Sequence, residues 1–328
     1  MSGADLTFRA MGCEIRLIVG APGPNGIDPA EAAAEARAFV EEFDRRLSRF
    51  RPDSELCSLN ADRADVVPAS GLLRTAVAAA IDAAMQTDGL VDPTLVDQLE
   101  RLGYSSSREG VAAADLRSAL AIAPPRRRAQ PDPARRWALV DVDERAGVIR
   151  RPPGVRLDSG GIGKGLAADL LATRLAAQTR FVVSCGGDLR VGGTAAGREE
   201  VLVEHPLTGE RDALVVIEGG AVATSGINLR VWRRADGRYA HHLIDPHTGE
   251  PAWTGLLGVT ALAPSGVAAE TVAKAALLSG PDRGRRLLEE HGGILFHEDG
   301  EAESVGPIDH RPNLTVRLPA SALNGVAA

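Results

Sequence analysis

Between residues 180 and 226 the chain breaks into five short strand-like runs: RFVVSCGG, DLRVGG, REEVLVEHP, DALVVIEGG and AVATSG. Only a few turn residues separate them. That spacing suits β-hairpins, because a parallel βαβ unit needs a crossover of a dozen or more residues. A further strand, LLGVTALAP, follows HHLIDPHTGEP, and ILFHEDG comes near residue 300. Near the start, LTFRAMGCEIRLIVG alternates and reads as a strand. Three more short strand-like runs are predicted between Trp137 and Leu157. Long helices lie among these runs. DPAEAAAEARAFVEEFDRRLSRF opens with Asp28 as a cap and Pro29 in the first turn. A second helix is predicted from about Ser70 to Asp88, ending at Gly89. A third follows Gly165 to about Gln178, and a fourth covers SGVAAETVAKAALLSG. Residues 105–135 read as a short helix and a Pro/Arg-rich loop. Antiparallel strands with helices at intervals predict the α+β class, as one domain over residues 1–328.

Composition narrows the function. Aromatic residues make up only 3%, so the core must rest on Ala, Val and Leu. A net charge of −7 argues against nucleic-acid binding. The run PPRRRAQPDPARRW reads as a solvated surface segment. Cys13, Cys57 and Cys185 have no disulfide-framework or metal-finger spacing. No run approaches the ~18 apolar residues that cross a membrane, and MSGADLTFRAMG lacks a signal pattern. Membrane insertion is not expected, and the cytoplasm is the expected location. One bias stands out. Of 37 basic residues only Lys164 and Lys274 are lysine. Where arginine serves as the general cation, a retained lysine suggests a need for a compact ammonium.

Three stretches carry candidate chemistry. LDSGGIGKGLAAD looks like a phosphate loop, but Gly165 stands where a Walker loop has Ser or Thr. Its glycines can still bring backbone N–H groups to an anion at a helix N-terminus. The plain alternative is a turn with a surface lysine, with Asp158 as a helix cap. HHLIDPHTGEP places His241, His242 and Asp245 together, which suits either acid–base work or hairpin turn chemistry. The helix AAETVAKAALLSG is apolar apart from Glu270 and Lys274. Such a pair at i,i+4 gains only ~0.3–0.5 kcal/mol on a surface, while burying two ions costs several kcal/mol. The pair therefore either reaches water or faces a polar site.

These stretches, with MG, DSELCSLN, GLVDPT, CGGDLRVGG and ATSG, occur in one order over about residues 6–300. In this the chain resembles the FAD:protein FMN transferases, the ApbE-like family. The resemblance implies a single α+β domain of antiparallel sheets flanked by helices, with a central cleft for FAD and Mg²⁺. It implies transfer of FMN from FAD to a threonine hydroxyl of an acceptor redox flavoprotein, with release of AMP. Carried over by position, Met11, Phe50, Leu90, Val91, Asp92, Asp158, Lys164, His242 and Leu243 would contact FAD. Gly161, Glu270, Ala273 and Lys274 would form the metal-binding stretch. Lys164 would hold phosphate, and His242 or Asp245 would take the threonine proton.

The chain departs from the family at its metal stretch. Glu270 stands where Asp is usual and Lys274 where Thr is usual, so an oxygen ligand is replaced by a fixed positive charge. The ammonium of Lys274, tethered by Glu270, is expected to replace some or all of the magnesium charge. Two alternatives follow: an FAD-binding protein that lost transfer because Lys274 displaces the metal, and an FAD pyrophosphatase that yields FMN and AMP.

Overall fold

The computed structural model describes residues 3–217, 219–306 and 314–317. Eight strands form one antiparallel sheet whose spatial order equals their chain order. They are β1 (Ala4–Ala10), β2 (Cys13–Val19), β3 (Phe181–Cys185), β4 (Asp188–Gly192), β5 (Gly220–Gly226), β6 (Leu256–Ala263), β7 (Gly293–His297) and β8 (Ala302–Val305). The α+β reading therefore holds. The domain reading of residues 1–328 extends into termini outside the described residues.

Two strand readings need correction, the single strand at the N-terminus and the third run between Trp137 and Leu157. LTFRAMGCEIRLIVG is a hairpin, with Ala10 paired to Cys13 across Met11 and Gly12. Both turn residues have positive φ, 56° and 67°, the condition for a type I′ turn. The apolar positions switch there from even (Leu6, Phe8, Ala10) to odd (Cys13, Ile15, Leu17), and that change of phase marks the turn. The strands Glu199–Glu204 and Arg211–Ile217 leave the main sheet and pair with Leu314–Arg317 in a separate one. Between Trp137 and Leu157 only Asp141–Asp143 and Val148–Arg150 are strands; Arg136–Leu139 is a 3₁₀ turn.

The long helices are α1 (Pro29–Leu47), α2 (Gly71–Gln86), α3 (Gly163–Leu175), α4 (Gly266–Ser279) and α5 (Pro281–Glu289). Asp28 caps α1 as expected, accepting from Ala30 N at 2.9 Å. Helix α3 begins at Gly163, two residues earlier than predicted, so Lys164 sits in its first turn. Helix α4 packs against β5, β6, α3 and α5. Strand β6 is buried along its whole length, which matches its continuous apolar run.

Helices α3 and α4 meet at two glycines. A Cβ on Gly266 would lie 2.6 Å from Gly165 O, and one on Gly165 would lie 2.7 Å from Val267 N. Neither position has room for a side chain. The close approach lets each helix cap the other. Asp169 of α3 accepts from Gly266 N (2.7 Å) and Val267 N (2.9 Å) at the start of α4. Glu270 of α4 accepts from Gly165 N (2.9 Å) in the first turn of α3. Charge-assisted bonds of this kind contribute about 1.5–3 kcal/mol each. The missing hydroxyl after Lys164 is thus a packing requirement. Alanine has the better helix propensity by about 1 kcal/mol, yet Gly165→Ala should destabilise the fold by about 1–3 kcal/mol because the clash is with backbone. Urea unfolding measures this, and a gain in stability would contradict the contact.

Candidate functional site

The loop ahead of α3 is pinned from several directions. Asn60 bonds both backbone groups of Leu157, accepting from N at 2.7 Å and donating to O at 2.8 Å. Asp158 N donates to Pro93 O at 2.8 Å, which ties the GLVDPT segment to the loop. Asp158 Oδ1 accepts from Gly160 N at 2.9 Å. Its other oxygen lies 3.2 Å from Arg49 Nε. Asp158 is therefore a turn and ion-pair residue, and it does not cap α3, whose N-cap is Ile162. Among the described residues, the N–H groups of Gly161, Gly163 and Lys164 have no acceptor. Free N–H groups at the positive end of a helix favour an anion.

Both lysines of the chain arrive at this helix end. Lys164 Nζ pairs with the buried Asp188 at the start of β4. Asp188 is held in turn by Thr224 N at 3.0 Å. Burial alone would lower the Lys164 ammonium, but Asp188 and then Glu270 outweigh it and keep the group charged above the ordinary lysine range. Lys164 is a cation here and no proton acceptor. Lys274 Nζ donates to Gly161 O at 2.5 Å and lies 3.6 Å from Glu270 Oε1. Burial lowers the Lys274 ammonium and raises the Glu270 carboxyl, and each charge opposes the other's shift. Lys274 thus stands between the carbonyl and the carboxylate assigned by resemblance to a metal. Ala273 is fully buried in the apolar core and its methyl offers no ligand atom. Among the described residues no group of three or more His, Cys, Asp or Glu side chains could hold a metal ion.

His242 and Asp245 part company. His242 feels Arg230, Lys274 and Lys164, and burial followed by these charges lowers its pKa well below the usual value. Its Nδ1 is buried without a partner. Asp245 instead holds a turn: Oδ1 accepts from Gln130 N (2.9 Å) and His247 N (3.2 Å). It lines a cavity of about 220 Å³ with Arg127, Tyr239, Glu250 and Trp253. No lysine and no His242 lines that cavity. Asp245 thus lies in a hairpin turn, with Oδ1 engaged by two backbone N–H groups. Cations and free donors converge instead at the lysine cluster.

Of the other expected contacts, Val91 lies against the loop. Val91 Cγ1 lies 3.5 Å from where a Cβ of Gly161 would be. Leu90 and Leu243 belong to the apolar core. Asp92 Oδ1 accepts from Thr94 N (2.7 Å) and Oγ1 (2.6 Å), while Oδ2 is buried and unpartnered. Burial pushes the Asp92 carboxyl up, and Thr94 partly offsets it. Met11 occupies the β1–β2 turn. Phe50 lies under the Arg49 guanidinium, 4.1 Å from carbon to ring centre. Arg49 also donates to Tyr104 O at 2.8 Å, and its Nη2 is buried without a partner. Sequence reasoning assigned no role to Arg49, Asn60, Asp188 or Arg230. Asp188 and Asn60 lay inside quoted motifs, and that was their only signal. Arg49 Nη2, Asp92 Oδ2 and His242 Nδ1 are among the buried side-chain atoms that have no hydrogen-bond partner among the described residues.

A model of the ApbE family matches residues 11–296. The FAD:protein FMN transferase of Treponema pallidum is 30% identical over 321 residues, covering 87% of this chain and 84% of its own length. That of Klebsiella pneumoniae is 28% identical over 281 residues, covering 83% and 78%. Among solved structures, the ApbE protein of Thermotoga maritima aligns with a TM-score of 0.75 at 24% identity, covering 92% of this chain and 96% of that one. The flavin transferase ApbE of Vibrio cholerae aligns with a TM-score of 0.68 at 23% identity, covering 92% and 96%.

His241 beside the site has a measurable consequence. It is fully buried against Trp253, with ring centres 4.7 Å apart, and burial pulls its pKa down to about 3. In the unfolded chain a histidine takes its proton near pH ~6.5. Below that pH the unfolded state binds the extra proton, so acid removes up to ~1.4 kcal/mol per pH unit from this residue's account of stability. His241→Phe should flatten the fall in stability between about pH 6.5 and 4 in urea titrations. An unchanged slope would rule this out.

Proposed function

Since this chain belongs to the ApbE family, we propose that it transfers FMN from FAD to a threonine hydroxyl of an acceptor redox flavoprotein and releases AMP. The observation that carries this reading is the meeting of both lysines with the free N–H groups of α3. Such a site suits a pyrophosphate, which carries its charge on several oxygens.

The threonine oxygen attacks the phosphorus on the FMN side. A phosphoester bond forms, the bond from that phosphorus to the bridging oxygen breaks, and AMP leaves with the bridging oxygen and its electron pair. Lys164, fixed by Asp188, neutralises the phosphates. The hydroxyl proton passes to His242, which burial and the nearby cations keep neutral and whose Nδ1 has no partner of its own. Bound pyrophosphate would offset the nearby cations that depress His242, so the substrate itself makes this base stronger. Arg49 Nη2 and Asp92 Oδ2 offer a donor and an acceptor to the polar edges of FAD. Among the described residues no helix is long and apolar enough to cross a membrane.

Magnesium, which the resemblance implies, does not fit the groups present. The carbonyl of Gly161 is taken by Lys274, and Glu270 is shared between Lys274 and Gly165 N.

Incubation with FAD and a threonine-bearing acceptor should yield AMP and covalent flavin in equal amounts. AMP and free FMN without covalent flavin would instead mark a pyrophosphatase. Lys164→Met and His242→Ala should each slow AMP release by about 100-fold or more, and wild-type rates in both would remove the assignment.

A further inference from the structure

We propose that the Lys274 ammonium is a built-in cation that holds the FAD pyrophosphate, so that this chain binds FAD without a divalent metal. This rests on the FAD reading above and adds to it a regulation of ligand binding by charge within the chain.

Four observations converge. The ammonium is placed by two opposed contacts, Gly161 O at 2.5 Å and Glu270 Oε1 at 3.6 Å, so it sits beside the free N–H groups of α3. Glu270 cannot release it cheaply, because its other oxygen is bonded to Gly165 N across the glycine contact. Of the three donors on Nζ only one makes a hydrogen bond among the described residues, so donors remain for a ligand oxygen. Finally, the chain uses lysine only here and at Lys164. A guanidinium is a planar fork with fixed donor directions, whereas a compact ammonium can occupy an ion's position and meet a carbonyl, a carboxylate and a phosphate together.

A structural ion pair would account for Lys274 and Glu270 attracting each other. It would not account for their lying on an otherwise apolar, buried helix, where the pair costs more in desolvation than a hydrophobic replacement. A second cation a few ångströms from the ammonium would be repelled by it, so the geometry sets the metal and Lys274 in competition for one place.

The test measures FAD affinity by flavin fluorescence, in EDTA and in excess MgCl₂, for wild type, Lys274→Thr and Lys274→Met. Mn²⁺ binding to the protein is followed separately by electron paramagnetic resonance. In wild type, FAD affinity should be the same in EDTA and Mg²⁺ to within about twofold, and no protein-bound Mn²⁺ should appear. Both variants should lose about tenfold or more of their FAD affinity in EDTA. Lys274→Thr restores an oxygen donor and should recover affinity with Mg²⁺, while Lys274→Met should not.

The proposal is overturned if wild type binds Mn²⁺ and loses FAD in EDTA, or if both folded variants bind FAD in EDTA as well as wild type does. Circular dichroism establishes folding; should the variants unfold, the wild-type metal measurements decide alone. AMP release and covalent flavin are scored in parallel. Metal-independent FAD binding with no AMP would uphold the cation and remove the transferase reading. Flavin transfer that requires Mg²⁺ would do the reverse, and no FAD binding in any condition would end both.

Discussion

Two helices touch at Gly165 and Gly266, and the arrangement of the lysine cluster depends on that contact. Because neither residue has a side chain, the backbones come close enough for Asp169 to bond the first N–H groups of α4 and for Glu270 to bond an N–H of α3. The exchange satisfies helix ends that would otherwise be buried without partners. It also fixes Glu270, which fixes Lys274, which meets Gly161 on the loop before α3. A packing constraint thus becomes a charge arrangement within one turn of each helix.

That arrangement is costly by the usual standards of a protein interior. Lys164 with Asp188, Lys274 with Glu270, and Arg49 with Asp158 are largely withdrawn from water. Pairs of this kind seldom add stability over apolar packing. Under the proposed function they hold charge ready for the pyrophosphate, with no reorganisation when it binds.

Much of the fold was legible. Hairpin spacing identified the antiparallel sheet, and Asp28 marked the start of α1. The errors have physical causes. The β1–β2 hairpin was read as one strand because Met11, a non-glycine residue, takes the left-handed turn conformation, and a change of phase is a weaker sign than an Asn-Gly turn. The run REEVLVEHP was read correctly as a strand, but local alternation does not say which sheet a strand will join. In HHLIDPHTGEP, neighbouring residues serve different ends. His242 faces the lysines and Asp245 bonds Gln130 N more than a hundred residues away. Only the path of the backbone separates them.

The sequence by itself determined the long helices and most strands, the ordered motifs that carry the family likeness, and the scarcity of lysine that drew attention to Lys164 and Lys274. These are local or countable properties. Tertiary structure decided that both lysines reach one helix end, that the glycine after Lys164 is a helix contact, and that Lys274 rather than open space lies between Gly161 and Glu270. Those facts join residues about a hundred positions apart. They depend on how closely two backbones can approach, which no spacing along the chain records.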